Sequence, residues 1–246
     1  LKFMRNDARF YLGQVDRDDL AAAEDAMLRL TCQRAALADG MAILELGCGW
    51  GSLTLWMAEH YPEARITAVS NSAPQREFIE AACREHGFAN VRLVTADMNK
   101  FSSDETFDRV VSVEMFEHMR NYPELLRRIS GWLKDDGRLF VHIFCHRELA
   151  YFFEIAGADD WMGRYFFTGG LMPSDHLLFY CNQDLIVEDH WRVNGRHYQK
   201  TCEHWLRRQD ARREQILPLL SGVYGVDAAI WFRRWRVFFM ACAELF

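Results

Sequence analysis

Glu114, Glu117 and His118 lie close together in VVSVEMFEHMRNY, directly after the β-branched run of Val110, Val111 and Val113. Ionised groups at the end of a buried strand are costly unless they are paired or used. An imidazole with an ordinary pKa of about 6.5 can take up a proton at neutral pH. A neighbouring carboxylate can orient the ring or hold a cationic nitrogen. If EMFEHM opens into a helical turn, the three side chains share one face. Such a set suits an amine that must lose a proton before its lone pair can act as nucleophile. The plainer alternative has Glu117 capping the following helix and His118 packing against it.

A turn of this kind needs a strand before it and a helix after it, and the flanking pattern supplies both. Residues 18–38 form an Ala-, Leu- and Glu-rich amphipathic helix. MAILEL is a buried strand ending in LGCGWG, SLTLWMAEHY a helix and ARITAVS a second strand. Pro74 suits the first turn of a helix over PQREFIEAACREHG, which Gly87 closes. VRLVTAD and DRVVSV are the third and fourth strands, YPELLRRISGWLK a helix and GRLFVHIF the fifth strand. This alternation predicts an α/β fold, a mostly parallel sheet with helices on both faces. From about residue 147 the alternation breaks. Residues 147–185 are aromatic and irregular, IVEDHWRV reads as a sixth strand, and KTCEHWLRRQDARREQILPLL and AAIWFRRWRVFFMACAELF read as two helices. The expected organisation is one domain over 1–246: an N-terminal helical segment (1–40), a cofactor-binding core (41–146), and a substrate cap with the C-terminal strand and helices (147–246).

The chain has 246 residues, half of them apolar, enough to bury a full core. A net charge of −6 argues against a nucleic-acid surface and against a dominant polybasic membrane patch. No apolar run approaches a membrane span and no signal peptide is visible. The seven cysteines are odd in number and scattered without CxxC pairs, which fits a reducing cytoplasm and gives no metal-binding spacing. Eight Trp and 18 Phe can serve a core or an aromatic pocket.

ELGCGWG places Gly47, Gly49 and Gly51 between the first strand and its helix. Glycine there permits a tight turn and close approach to a ligand, in the crevice at the strand carboxyl ends. The spacing is GxGxG rather than GxGxxG, no Lys follows as in a phosphate loop, and the second strand ends in Ser70-Asn71 where a dinucleotide site would place an acid. Together with Glu45, Gln75 and TADM, the loop resembles the motif set of class I S-adenosylmethionine-dependent methyltransferases. The resemblance implies a Rossmann-like sheet with S-adenosyl-L-methionine as cofactor and S-adenosyl-L-homocysteine as product. It assigns cofactor contacts to Glu45, Gly47, Cys48, Gly49, Ser70, Asn71, Gln75, Asp97, Met98 and Val113.

ELGCGWGSLTLWMAEHYP, VSVEMFEHMRNY, LFVHIFCH, RYFFTGGLMPS and HWRVNGRHYQKTCEHWLRR resemble the coclaurine N-methyltransferases from about residue 20 onward. These belong to a wider group with the bacterial cyclopropane-fatty-acid synthases. The resemblance makes Glu117 and His118 the catalytic pair, serving a small amine, with Glu114 near cofactor or substrate; the synthase branch carries glycine at that position. The alternative it implies is methylation of an unsaturated acyl chain, with bicarbonate as base on Glu117, His142 and Tyr198. The fourth bicarbonate ligand of that branch, a Cys in a YSCxYF-like segment, has no match here, and Tyr11 within 10–13 is its nearest remnant. A third hypothesis, an inert cofactor-binding domain, is disfavoured by the intact Glu117-His118 pair. DDWMGRYFFTGGLMPS supplies aromatics and acids suited to a cationic aromatic amine. IWFRRWRVFFM could lie on a membrane, but such a stripe is more often core with outward arginines. The expected partner is thus a small-molecule amine, with no nucleic acid and no membrane, a homodimer left open, in the cytoplasm. Relatives continue beyond AELF with a final edge strand, so a chain ending at Phe246 is expected to be less stable than one that includes it.

Overall fold

The computed structural model describes residues 20–157 and 160–246. They fall into two compact units, residues 32–190 and residues 20–31 with 191–246. The first boundary cuts helix α1 (Leu20–Arg34), and the second lies inside the segment 147–246 that the sequence suggested as one piece.

The unit 32–190 is built on five parallel strands: β1 (Ala42–Leu46), β2 (Arg65–Ser70), β3 (Val91–Thr95), β4 (Phe107–Val113) and β5 (Leu133–His142). Their order is β3-β2-β1-β4-β5. Helices α2 (Ser52–His60), α3 (Ala73–His86) and α4 (Tyr122–Trp132) connect them. The chain reverses its winding at β1, so the carboxyl ends of β1 and β4 open a crevice where the topology switches. This is the expected α/β class. β1 is buried along its whole length because helices cover both faces. Helix α3 starts and stops where the sequence indicated. The Ser72 side chain accepts from Gln75 N at 3.4 Å, Pro74 occupies the first turn and Gly87 ends it at φ +72°.

Three assignments are corrected. The helix expected through Lys134 ends at Trp132, and β5 starts at Leu133. It runs through a tight irregularity in which pairing jumps from Phe107↔Leu133 to Arg109↔Arg138. IVEDHWRV is not a strand: Ile186 and Val187 are exposed, so its apolar residues bury no common face. The single helix read through KTCEHWLRRQDARREQILPLL is two, α6 (Arg196–Ala211) and α7 (Arg213–Tyr224), separated at Arg212 with φ −111°.

Between β5 and residue 190 lie the two-residue strands β6 (Tyr151–Phe152) and β7 (Leu171–Met172), an antiparallel pair, and the short helix α5 (Trp161–Tyr165). In the other unit, α6 and α7 pack with α8 (Ala228–Leu245). Within Arg213–Leu245 one 18-residue window reaches a mean hydropathy of 1.3, with 22% of that window buried. This corrects the expectation that no apolar run approaches a membrane span. A mid-helix Pro218 and the break at Gly225–Asp227 interrupt it.

Candidate active site

The glycine loop is fixed by its own backbone. Gly47 N and Cys48 N both donate to Val69 O at 3.0 Å, and Gly51 N donates to Cys48 O at 2.8 Å. Gly47, Gly49 and Gly51 all have positive φ, at +84°, +52° and +84°. A Cβ at Gly47 would lie 2.7 Å from Met115 Cβ, and one at Gly51 2.7 Å from Ile79 Cγ1. These two glycines therefore let the loop pack against the end of β4 and against α3. Gly49 has no atom within 4 Å of its Cβ position, so the middle of the loop faces open space. Cys48 is buried, and burial followed by the Glu45 charge raises its pKa.

Glu45, on β1, is 4% exposed and accepts from Thr54 Oγ1 at 2.5 Å. Desolvation outweighs that hydrogen bond and pushes its pKa up to about 7. At the end of β2, buried Ser70 donates to Gln75 Oε1 at 2.6 Å, while Asn71 is exposed. After β3, Asp97 is exposed and turned into its own loop, accepting from Asn99 N and Nδ2, both at 2.9 Å. Those bonds hold its pKa below the usual carboxylate range. Met98 packs on the core, and its carbonyl accepts from Arg128 Nη1 at 2.8 Å.

The segment after β4 differs from the single helical face expected of it. Glu114 has φ +53°, the left-handed region that a side chain occupies at a cost. Its N–H continues the β4–β5 ladder to His142 O at 2.8 Å, and its Oε1 lies 3.8 Å from His142 Nε2. Phe116–His118 then form one 3₁₀ turn. Consecutive side chains on such a turn diverge by about 120°. Glu117 is accordingly 3% exposed, whereas His118 is on the exposed side. The expected common face is therefore split. Desolvation of the His118 ring still lowers its pKa below the ordinary value. Tyr122 donates to Phe116 O at 3.0 Å. Its own pKa is raised by burial first and then by Glu117, Cys181 and Glu114, so both carboxylates bear on one phenol. Val113, half-buried, pairs with His142 at the end of the ladder.

Arg120 and the glycines after α5 are site residues that the sequence reading missed. Arg120 Nε donates to Gly169 O at 2.7 Å, and a Cβ at Gly170 would collide with the Glu117 carbonyl oxygen. The cap segment thus rests on the turn that carries Glu117. Phe153 stacks on Phe167 with ring centroids 5.2 Å apart, and Phe167 meets Phe144 edge-on at 5.7 Å. The RYFFTGG motif had marked this region as aromatic, but nothing local linked it to Arg120. Tyr198 belongs to the other unit, where it is buried and meets Phe246 edge-on at 4.5 Å. Tyr11 and the segment 10–13 lie outside the described residues.

The family model described as mycolic acid cyclopropane synthetase matches residues 8–246. The chain is 42% identical over 236 residues to an (S)-coclaurine N-methyltransferase of Thalictrum flavum subsp. glaucum, covering 94% of this chain and 65% of that one. It is 37% identical over 247 residues to the (S)-coclaurine N-methyltransferase of Papaver somniferum, covering 99% of this chain and 70% of that one. The chain thus spans about two thirds of the length of these relatives, slightly less for the first. A crystal structure of a coclaurine N-methyltransferase bound to N-methylheliamine and SAH superposes with a TM-score of 0.92 at 37% identity, covering 100% of this chain and 76% of that one.

Proposed function

This chain belongs to the mycolic acid cyclopropane synthetase family, and from that premise we propose that it transfers a methyl group from S-adenosylmethionine to the nitrogen of a small, alkaloid-like amine. The observation that carries this reading is the turn after β4. It sets Glu114, Glu117 and His118 at the strand carboxyl ends, and Met115 in the same turn packs on the glycine loop at Gly47. The named acceptors of the similar plant enzymes point to the same class of substrate.

The loop fits the cofactor: Gly49 leaves its outer side open, and Ser70 with Gln75 supplies a polar pair at the end of β2. Glu45, Gly47, Cys48, Gly49, Ser70, Asn71, Gln75, Asp97, Met98 and Val113 would hold it. When bound, S-adenosylmethionine supplies an electrophilic methyl that a neutral nitrogen can displace. An amine reaches the site mostly protonated at neutral pH. The lowered pKa of His118 keeps its imidazole neutral and able to accept that proton. Glu114 and Glu117 provide negative charge that attracts and orients the ammonium form, and the His142 carbonyl positions Glu114 by accepting from its N–H at 2.8 Å. The rings of Phe144, Phe153 and Phe167 offer faces to a cationic aromatic guest. The cysteines form no disulfide among the described residues, which supports placing the reaction in a reducing, cytoplasmic setting.

The test is methyl transfer from labelled S-adenosylmethionine to a panel of aromatic and aliphatic amines, run beside unsaturated phospholipid vesicles. Label on an amine is the expected result. Label on lipid alone would overturn the reading in favour of acyl-chain methylation with bicarbonate as base. Label on neither would favour an inert cofactor-binding domain.

A further inference from the structure

Residues 196–246 carry nine Lys and Arg against five Asp and Glu, in a chain whose net charge is −6. Three of the nine, Arg213, Arg233 and Arg236, converge on one depression between α6, α7 and α8. Its volume is about 590 Å³, and Asp210, Arg213, Leu217, Ala229, Phe232, Arg233 and Arg236 line it. The spacing explains the convergence. On α8, residues 229, 232, 233 and 236 lie on one side of the helix, and Asp210 and Arg213 flank the break at Arg212. The floor is fixed because fully buried Gln209 donates Nε2 to Phe232 O at 2.8 Å.

The three guanidiniums are not equivalent. Asp210 grips Arg236 with both carboxylate oxygens, at 2.6 and 2.9 Å, and so neutralises it. Arg213 lies over the Phe232 ring at 5.8 Å, and Arg233 donates Nε to Ala229 O at 3.3 Å. Neither Arg213 nor Arg233 has a carboxylate partner among the described residues. Both are exposed. Two uncompensated guanidinium forks on the rim of one depression with an apolar floor repel each other unless an anion lies between them. Guanidinium geometry matches phosphate oxygens two at a time.

We infer that this depression is a binding site for a phosphate ester, held between Arg213 and Arg233 with Phe232 and Leu217 beneath its organic part. The site is separate from the methyl-transfer chemistry and does not depend on it. A lipid headgroup and a soluble phosphate ester share this chemistry. Ile230 and Val237 are exposed on α8 on either side of Arg233, so a headgroup could leave its acyl chains against an apolar rim.

The test measures binding of the full chain to three probes. They are vesicles of equimolar phosphatidylcholine and phosphatidylglycerol, vesicles of phosphatidylcholine alone, and glycerol phosphate in solution. Binding in the vesicle arms alone identifies a headgroup site, and saturable binding of glycerol phosphate identifies a soluble ester. In either case the Arg213→Gln, Arg233→Gln double variant is expected to bind about tenfold or more weakly. Its thermal midpoint and methyl-transfer rate should match the unmodified chain. Arg138→Gln, which removes an exposed charge paired with Glu188 elsewhere, should bind as the unmodified chain does. Absence of binding in all three arms overturns the inference. So does binding that survives the double substitution, or that falls equally in Arg138→Gln. Should the double variant fail to fold, the two single substitutions give the same reading.

Discussion

Arg120 Nε donates to Gly169 O at 2.7 Å across 49 residues of sequence, and the same guanidinium lies 4.6 Å above the Phe152 ring. One side chain, two residues beyond His118, therefore ties Phe152 of β6 and Gly169, which precedes β7, to the candidate catalytic turn. Gly170 completes the seam, since its missing Cβ makes room for the Glu117 carbonyl. The hydrogen bond is exposed and contributes about 1 kcal/mol to stability, so its larger role is positional. Arg120→Ala should lower turnover about ten- to hundredfold through misplacement, with S-adenosylmethionine affinity unchanged. Arg120→Lys should recover part of it, because an ammonium can still reach the carbonyl. Gly170→Ala should cost about 1–3 kcal/mol of stability by overpacking. Steady-state kinetics and denaturant midpoints for the three variants check this; wild-type turnover in Arg120→Ala would show that the seam is incidental.

His118 gives a pH signature. Desolvation lowers its pKa, so the acid limb of kcat/KM should lie below the ordinary histidine value of about 6.5. His118→Ala and Glu117→Ala should each lose about 10²–10⁴ in turnover and retain cofactor binding by calorimetry. The sign for stability follows from the same shift. A folded pKa below the unfolded one means that the unfolded chain binds more protons in acid, so this contribution is present above about pH 6.5 and lost as pH falls. Joint loss of cofactor affinity and fold in both variants would assign the pair a structural role.

Glu45 should make stability fall in the opposite direction. Its folded pKa of about 7 stands above the ordinary 4.5, so the folded state holds the proton more tightly. The contribution is fully present below pH 4.5 and is lost as pH rises through 7. The amount is about 3 kcal/mol. Glu45→Gln keeps the shape and an acceptor for Thr54 Oγ1 but cannot ionise. The stability difference between variant and wild type should therefore widen by that amount from acid to pH 8 or so in urea titrations. A difference independent of pH would show that Glu45 titrates normally.

The elements were legible where local physics decides them. Pro74 and Gly87 bracket α3, the β-branched runs mark strands that helices cover on both faces, and the glycine loop is visible because its positive φ values exclude most side chains. The candidate site was legible as a set of residues and illegible as an arrangement. A single left-handed residue, Glu114, redirects the chain after β4, and no propensity predicts φ +53° for a glutamate. That turn sends Glu117 inward and His118 outward. The Arg120–Gly169 seam is a long-range contact with no local signature. IVEDHWRV misled for the reverse reason: it has strand composition, but no partner face buries Ile186 and Val187.

Glu114 itself offers the sharpest separation of stability from function. Left-handed backbone costs a side-chain-bearing residue about 1–2 kcal/mol, and glycine relieves that strain while adding about 0.5–1 kcal/mol of unfolded-state entropy. Glu114→Gly also removes a carboxylate whose side chain is 6% exposed, and its desolvation. The variant should therefore be at least as stable as wild type, although it loses the 3.8 Å approach to His142. Its methyl transfer should nevertheless fall, mainly through a higher KM for a cationic amine, since negative charge at the end of β4 is what recruits the ammonium form. A neutral, non-titrating acceptor should be affected much less. Denaturant midpoints and kinetics on a matched amine pair decide the matter. A variant that is destabilised by more than about 1 kcal/mol would mean that the Glu114 side chain holds the turn together; an unchanged KM would remove it from substrate binding.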